Sequence, residues 1–442
     1  MKTYKNLSHW GKTGFIIFLI INASFIFLLL SPIIPNLIGE LRDNQLIAEC
    51  EERIRQIRTT PIRVQLQFAN GTPIQGWNVS FNQINHEFFF GCNIYSFDSF
   101  SEPGYNETYR SYFKRLFNFA VLPFYWKAYE PEEGVYPTEA HINVTLDWCI
   151  QNNITTKGHP LVWTRPYGKP DWISSKNDTE LLGILEHRIK TLITKYQQKI
   201  EYWDIVNEPV HTEPFAGLSR FDFVFQSVQW ANATNVNADL TVNDYGILGH
   251  DFGHGPFYQL LSDLIAQNSP FHSIGLQAHE PRTDWIPATE IWKTLEAYSQ
   301  LGKQLFITEF SPISAPVPIT NSWKKGIWSE EAQSEYAKMF YTVCFSHPSV
   351  RGIIWWDLTD LTSWLEGGGL LRDDMTPKLV YNMLDQLINN EWHTYGFQIS
   401  NSTGWIEFQG FYGQYNISVQ EGAYQFQIDV KSGTSNQFVL II

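Results

Sequence analysis

Cysteine is scarce in this chain. Four residues (Cys50, Cys92, Cys149, Cys344) are scattered through 442, and none is spaced C-x-x-C. That excludes a zinc site of the usual spacing. Cys92, Cys149 and Cys344 sit in apolar segments and are expected as buried free thiols, while Cys50, in a more polar stretch, is open to pairing between chains. Charge is thin as well, at 17% of residues, and basic charge thinner still: 31 Lys and Arg against 45 Asp and Glu, net −14. A nucleic-acid binder is excluded, because it needs clustered cations to displace counterions from phosphate. With 43% hydrophobic residues and no long charged run, disorder is excluded as the dominant state.

Aromatic residues are abundant, at 17 Trp, 21 Tyr and 31 Phe. Most should be core, but flat apolar rings also stack on flat apolar faces such as sugar rings. Long apolar runs are rare except at the start, where residues 14–30 (GFIIFLIINASFIFLLL) approach the ~20 residues that span a bilayer. Lys2, Lys5 and Lys12 precede the run and Glu40, Asp43, Glu49, Glu51 and Glu52 follow it. By the positive-inside tendency, 1–12 is expected in the cytoplasm, 13–34 in the membrane as a signal anchor, and the rest outside. A cleaved signal peptide, giving a secreted protein, is the alternative, although no convincing small-x-small site follows. N-x-S/T sequons at Asn78, Asn106, Asn143, Asn153, Asn177, Asn232, Asn401 and Asn416 fit an outward, glycosylated face.

Residues 41–86 read as a charged stalk helix followed by a β-hairpin layer, with an Asn-Gly turn at 70–71. The segment 395–442 alternates without helical period and reads as a short β-rich tail. Between them, 87–392 carries eight short apolar runs, at 87–94, 117–124, 154–163, 200–208, 240–245, 273–279, 303–310 and 350–358. Amphipathic stretches such as 179–199 and 330–345 separate them. Eight strand-then-helix units predict an α/β fold, a (β/α)8 barrel. An open doubly wound sheet would bring a Gly-rich phosphate turn after its first strand, and none is present.

In a barrel the C-terminal ends of all eight strands open on one face. Here they carry His159 and Trp163, Asn207 and Glu208, Asn243 and Asp244, Gln277 and His279, Glu309, and Trp355, Trp356 and Asp357. Either glutamate alone suits a structural ion pair. Two together, each ending a buried strand, would bear a large desolvation cost without purpose. Paired carboxyl groups among indoles suit glycoside hydrolysis, one protonating the leaving oxygen and the other attacking or stabilising the anomeric carbon. His250 and His254 flank Asp251 at a helical metal-ligand spacing, but adjacent glycines favour a loop. No cofactor and no metal is expected.

Ordered motifs sharpen this reading. GHPLVW (158–163), WDIVNEP (203–209), VNDY (242–245), GLQAH (275–279), FITEF (306–310), DLTSW (360–364) and LLRDDMTPKLVY (370–381) resemble, in order, those of glycoside hydrolase family 10, the endo-β-1,4-xylanases. The resemblance covers roughly 87–392. It implies Glu208 as general acid/base, Glu309 as nucleophile and Asn207 on the 2-hydroxyl of the sugar being cleaved. It further implies His159 and Gln277 on that sugar, His279 orienting Glu309, and Trp163, Trp356 and Trp364 as walls, with Tyr245 beside them. The family is retaining, which implies carboxyl groups ~5–5.5 Å apart. Departures follow strand two and the nucleophile. Leu122 and Tyr125 stand where the family has the Asn and Lys of its glycone grip, Thr164 replaces a second His, and Ser311 replaces an Asp. Tyr125 and Trp126 are the expected substitutes for the grip. The partners expected are a β-1,4-linked polysaccharide or oligosaccharide and, through the N-terminal helix, a membrane, with no obligate protein partner evident. A non-catalytic surface lectin on the same barrel, and a retaining β-glucanase or transglycosylase, are the alternatives.

Overall fold

The computed structural model describes residues 33–249, 251–279 and 282–442. The apolar run at 14–30 lies outside them, and among the described residues no helix is long and apolar enough to cross a membrane. The described chain opens with helix α1 (Ile33–Ile57), then strands β1 (Thr59–Gln67) and β2 (Asn78–His86). The barrel follows as β3 (Phe89–Asn93), α2 (Tyr105–Leu116), β4 (Phe119–Pro123), α3 (Glu139–Gln151), β5 (Thr155–His159) and β6 (Val162–Trp163). It continues with α4 (Asp178–Tyr196), β7 (Tyr202–Asn207), α5 (Arg220–Thr234), β8 (Asp239–Asp244), α6 (Asp251–Ala266) and β9 (Ser273–Leu276). It ends with α7 (Ala288–Ser299), β10 (Gln304–Phe310), α8 (Glu330–Phe345), β11 (Val350–Trp355) and α9 (Leu379–Gln386). Five further strands, β12 (Tyr395–Ile399), β13 (Trp405–Phe411), β14 (Gly413–Val419), β15 (Tyr424–Val430) and β16 (Gln437–Ile441), complete the chain.

Strands β5 and β6 are halves of one stave, broken at Pro160, which has no N–H to give a ladder. The parallel order β5-β4-β3-β11-β10-β9-β8-β7-β6 closes through β5–β7 pairing, so eight staves form a complete (β/α)8 barrel. Their near-continuous apolar sequence is what a parallel strand covered by helices requires. Inside, Phe89, Phe119, Phe306 and the half-buried Tyr202 pack as an aromatic layer. Two residues further along β7, Asp204 meets Lys157, with Nζ 2.6 Å from Oδ1, both almost wholly buried. The helix α6 begins at Asp251, where a loop was expected around His250 and His254.

The regions flanking the barrel differ from expectation in three ways. First, residues 41–57 lie in a helix, as expected, but it is docked on the barrel instead of projecting as a stalk. α1 lies against α7 and α8 and runs parallel to them, from the mouth of the barrel to its floor. Near the mouth, Asp43 accepts hydrogen bonds from Thr289 N–H and Oγ1 at the start of α7 (both 3.1 Å) and from Trp323 Nε1 (2.8 Å). At the floor, Arg58 donates to the carbonyls of Phe345, His347 and Val350.

Second, β1 and β2 do not form a hairpin layer. The turn at 68–72 forms, with Gly71 at φ 83, but the strands it joins enter different sheets. β1 is central in the order β13-β1-β16, and β2 is interior in β12-β2-β14-β15. The N-terminal strands and the C-terminal tail therefore make one β-sandwich. It has its own core, including Ile62, Val64, Leu66, Phe81, Phe408 and Tyr415, and sits at the floor beside Arg58 and Arg351.

Third, Cys50 is fully buried in α1, so the alternative of pairing between chains is removed; all four cysteines are free and buried. The sequon residues Asn78 and Asn416 lie on exposed positions of the sandwich, whereas the Asn106 amide is engaged with Phe100 O at 3.0 Å.

Candidate active site

The strand ends converge on a cleft of ≈ 850 Å³ whose lining includes Tyr125, Trp163, Asn207, Glu208, Tyr245, Gln277, His279, Glu309, Trp356 and Trp364. Ten of the twelve residues expected from sequence to act on or touch the sugar therefore share one cavity wall.

Glu208 follows β7 in a left-handed backbone conformation, φ 56, unusual for a residue with a side chain. Its N–H is held by Asn243 O at 2.7 Å. Its carboxylate accepts from Trp163 Nε1 (3.0 Å), and lies 3.4 Å from both Gln277 Nε2 and Asn207 Nδ2. Burial pushes the Glu208 carboxyl above the ordinary range, the facing Glu309 charge pushes it further, and the Trp163 and Gln277 donors offset part of the rise. A carboxyl so placed keeps its proton to higher pH than a free one.

Glu309 is provided with donors instead. Asn243 Nδ2 donates to Oε1 (2.8 Å), and His279 Nε2 lies 2.9 Å from Oε2. Ser311 takes the place of the family's Asp behind His279, its Oγ 3.0 Å from Nδ1. A serine hydroxyl can donate to Nδ1, which a carboxylate cannot do, so a neutral imidazole can keep its Nε2–H for Glu309. Ser311 thus preserves the orienting link that the substitution put in question.

Asn243 was placed at the mouth from sequence but given no role there. Its carbonyl holds Glu208, and its amide donates to Asn207 Oδ1 and to Glu309 Oε1, both at 2.8 Å. Its Oδ1 accepts from Thr308 Oγ1 at 2.6 Å, so the group is saturated and fixed. A side chain at position 275 would collide with the Asn243 amide, which explains the glycine of GLQAH. Asp244, also placed at the mouth from sequence, has a role that was not foreseen. It accepts from Val210 N (2.9 Å) and pairs with His211 Nδ1 (2.6 Å), pinning the turn that follows Glu208.

Of the expected sugar contacts, Trp126 is buried with its Nε1 donating to Glu130 Oε2 at 2.9 Å, and His159 likewise does not line the cleft. It is 1% exposed, beneath the rings of Tyr125 and Trp356, with Nδ1 on Asp204 Oδ2 at 2.7 Å and Nε2 4.0 Å from Glu309 Oε1. Burial by itself would raise the Asp204 pKa, but Lys157 and His159 hold it below the ordinary range. Leu122, at the position of the family's Asn, points into the core and is fully buried. Tyr125 occupies the space, packed edge-on against Trp163 and Tyr95. Trp356 is nearly buried beside His159 and His279, whereas Trp364 is half exposed and packs edge-on against His279 at 4.9 Å.

Comparison with known proteins fits this geometry. The family model for glycosyl hydrolase family 10 matches residues 83–386. The chain is 28% identical over 277 residues to endo-1,4-beta-xylanase B of Thermotoga neapolitana, covering 59% of this chain and 75% of that protein. It is 24% identical over 413 residues to anti-sigma-I factor RsgI6 of Acetivibrio thermocellus, covering 91% of this chain and 50% of that protein. Against endo-1,4-beta-xylanase 3 of Arabidopsis thaliana it spans only 40% of the relative's length. In structure it resembles native xylanase 10B from Thermotoga maritima, with TM-score 0.59 and 24% identity, over 69% of this chain and 96% of that one. A model match over more than half of the sequence, laid on a closed barrel whose mouth presents both glutamates, settles descent: the chain belongs to glycosyl hydrolase family 10.

Proposed function

We propose that the protein hydrolyses internal β-1,4 bonds of xylan or a related β-glycan with retention of anomeric configuration. The carrying observation is the contrast between the two carboxyl groups: Glu208 is buried with its pKa raised, and Glu309 is clamped by the Asn243 and His279 donors. Glu309 attacks the anomeric carbon while Glu208 gives its proton to the departing oxygen, so the glycosidic bond breaks as a glycosyl ester forms on Glu309. Loss of the Glu309 charge lowers the Glu208 pKa, and Glu208 then takes a proton from the water that cleaves the ester. Asn207 suits a contact with the 2-hydroxyl, because its Oδ1 is taken by Asn243 and Gln277. The similarity to proteins named endo-1,4-beta-xylanase supports the substrate class. Glu309→Ala and Glu208→Ala should each lower reducing-sugar release from xylan by orders of magnitude while leaving the circular-dichroism spectrum unchanged. Near-normal turnover in either would sink the assignment.

A second reading has a specific support. The relative aligned over 91% of this chain is named an anti-sigma-I factor, a regulatory name, and Tyr125 and Leu122 replace the family's glycone grip. A non-catalytic glycan-binding barrel would bind xylo-oligosaccharides in titration without cleaving them over days. The apolar run at 14–30 with its preceding lysines further supports a signal anchor holding the barrel outside a membrane. Fractionation of the full chain with membranes, and its release by a protease added from outside, would test that placement.

A further inference from the structure

Among the residues lining the cleft, Arg165 and Arg282 are the two permanent cations. Their contacts tie them to different members of the carboxyl pair. Arg165 Nε lies 3.6 Å from Glu208 Oε2, and its Nη2 donates to Tyr245 Oη at 3.2 Å. Because Glu208 is the group that would protonate the departing oxygen, Arg165 faces the leaving-group side. Arg282 follows β9, and its guanidinium lies 4.9 Å from the centre of the Trp364 ring, which itself packs on His279 and so on the Glu309 side. Among the described residues Arg282 has no carboxylate partner, and it is exposed to the cleft.

The same cleft lacks two polar contacts of the family's glycone grip, since Leu122 is in the core and Tyr125 stands at the Lys position. A guanidinium laid on an indole is held flat, and its planar fork matches a carboxylate through two parallel hydrogen bonds. In a chain of net charge −14, two such groups, one tied to each member of the carboxyl pair, need a reason. An anionic group on the substrate supplies it.

We propose that the cleft takes a β-glycan bearing carboxylate side groups, a uronic-acid-substituted xylan, with Arg282 and Arg165 receiving those carboxylates on the two sides of the scissile bond. The proposal rests on the glycanase reading above and names the substrate class of that same site. Recognition is non-covalent.

The test compares two polymers that differ only in charge: a glucuronoxylan, and the same polymer after reduction of its carboxyl groups to alcohols. The quantity read is the ratio of kcat/KM for the acidic over the reduced polymer. For the wild-type protein the ratio should reach about tenfold, the order expected for one charge-assisted contact. It should fall as salt is raised. Arg282→Gln and Arg165→Gln should each reduce it at least about threefold, and the double variant should bring it near one. A wild-type ratio of one or less, or a ratio that neither variant changes, overturns the proposal. Should neither polymer be cleaved, the glycanase reading fails while recognition is still decided. Dissociation constants of acidic and carboxyl-reduced oligosaccharides are then compared in Glu309→Ala, with and without Arg282→Gln, and equal affinities overturn the proposal.

Discussion

Asn243 ties the two glutamates together, through its carbonyl to one and its amide to the other. Asn243→Asp keeps its shape but turns the donor facing Glu309 into an acceptor of like charge. The expected result is a kcat lower by on the order of 10²-fold, since a misplacement of about an ångström has that effect, with KM little changed. A KM rise with kcat retained would assign Asn243 to binding instead. Trp163 bears on proton supply: its N–H stabilises the Glu208 anion. In Trp163→Phe the Glu208 pKa should rise, so the alkaline limb of the pH–rate profile, where the acid loses its proton, moves to higher pH. An acidward move would place the acid elsewhere. That Glu208 and Glu309 share one cleft was legible in sequence because their motifs are local, WDIVNEP and FITEF. The role of Asn243 was not, although VNDY was read, because it exists only where β7, β8 and β10 meet. The burial of His159 was equally hidden, being set by Tyr125 and Trp356 from other strands.

Barrel strands were legible because a parallel strand covered on both faces must be apolar along its length, and each run ended in polar residues at the mouth. The helix α1 was read as a charged stalk, since its apolar residues are few and its partners lie in α7 and α8. Beside the apolar burial of Cys50 and Ile54, one specific contact docks it: Asp43, 1% exposed, serves Thr289 and Trp323 together, acting as a cap borrowed by the start of α7. Asp43→Ala should cost about 2 kcal/mol by leaving those donors unmatched, and differential scanning calorimetry should show a Tm lower by a few degrees. An unchanged Tm would make the contact incidental to stability.

Over the whole molecule, two stretches more than 300 residues apart, 59–86 and 395–442, fold as one unit, with β1 and β2 inside sheets whose other strands come from the tail. No local signal announces this, because strand alternation reveals a face but not the identity of the neighbour. Truncation after residue 394 would strip β1 and β2 of every partner and expose their edges. That form should aggregate on size-exclusion chromatography, whereas a form also lacking 59–82 should do so less. Equal behaviour of the two would show that the orphaned strands are harmless. The direction of α1 has a consequence for orientation. It enters beside the mouth and leaves at the floor, so its first turns lie at the end that holds the cleft. A surface held against that end of α1 would face the cleft, with the sandwich turned away from it. A glycan would then have to slip sideways into the gap, which single soluble strands can do and bundled fibres cannot.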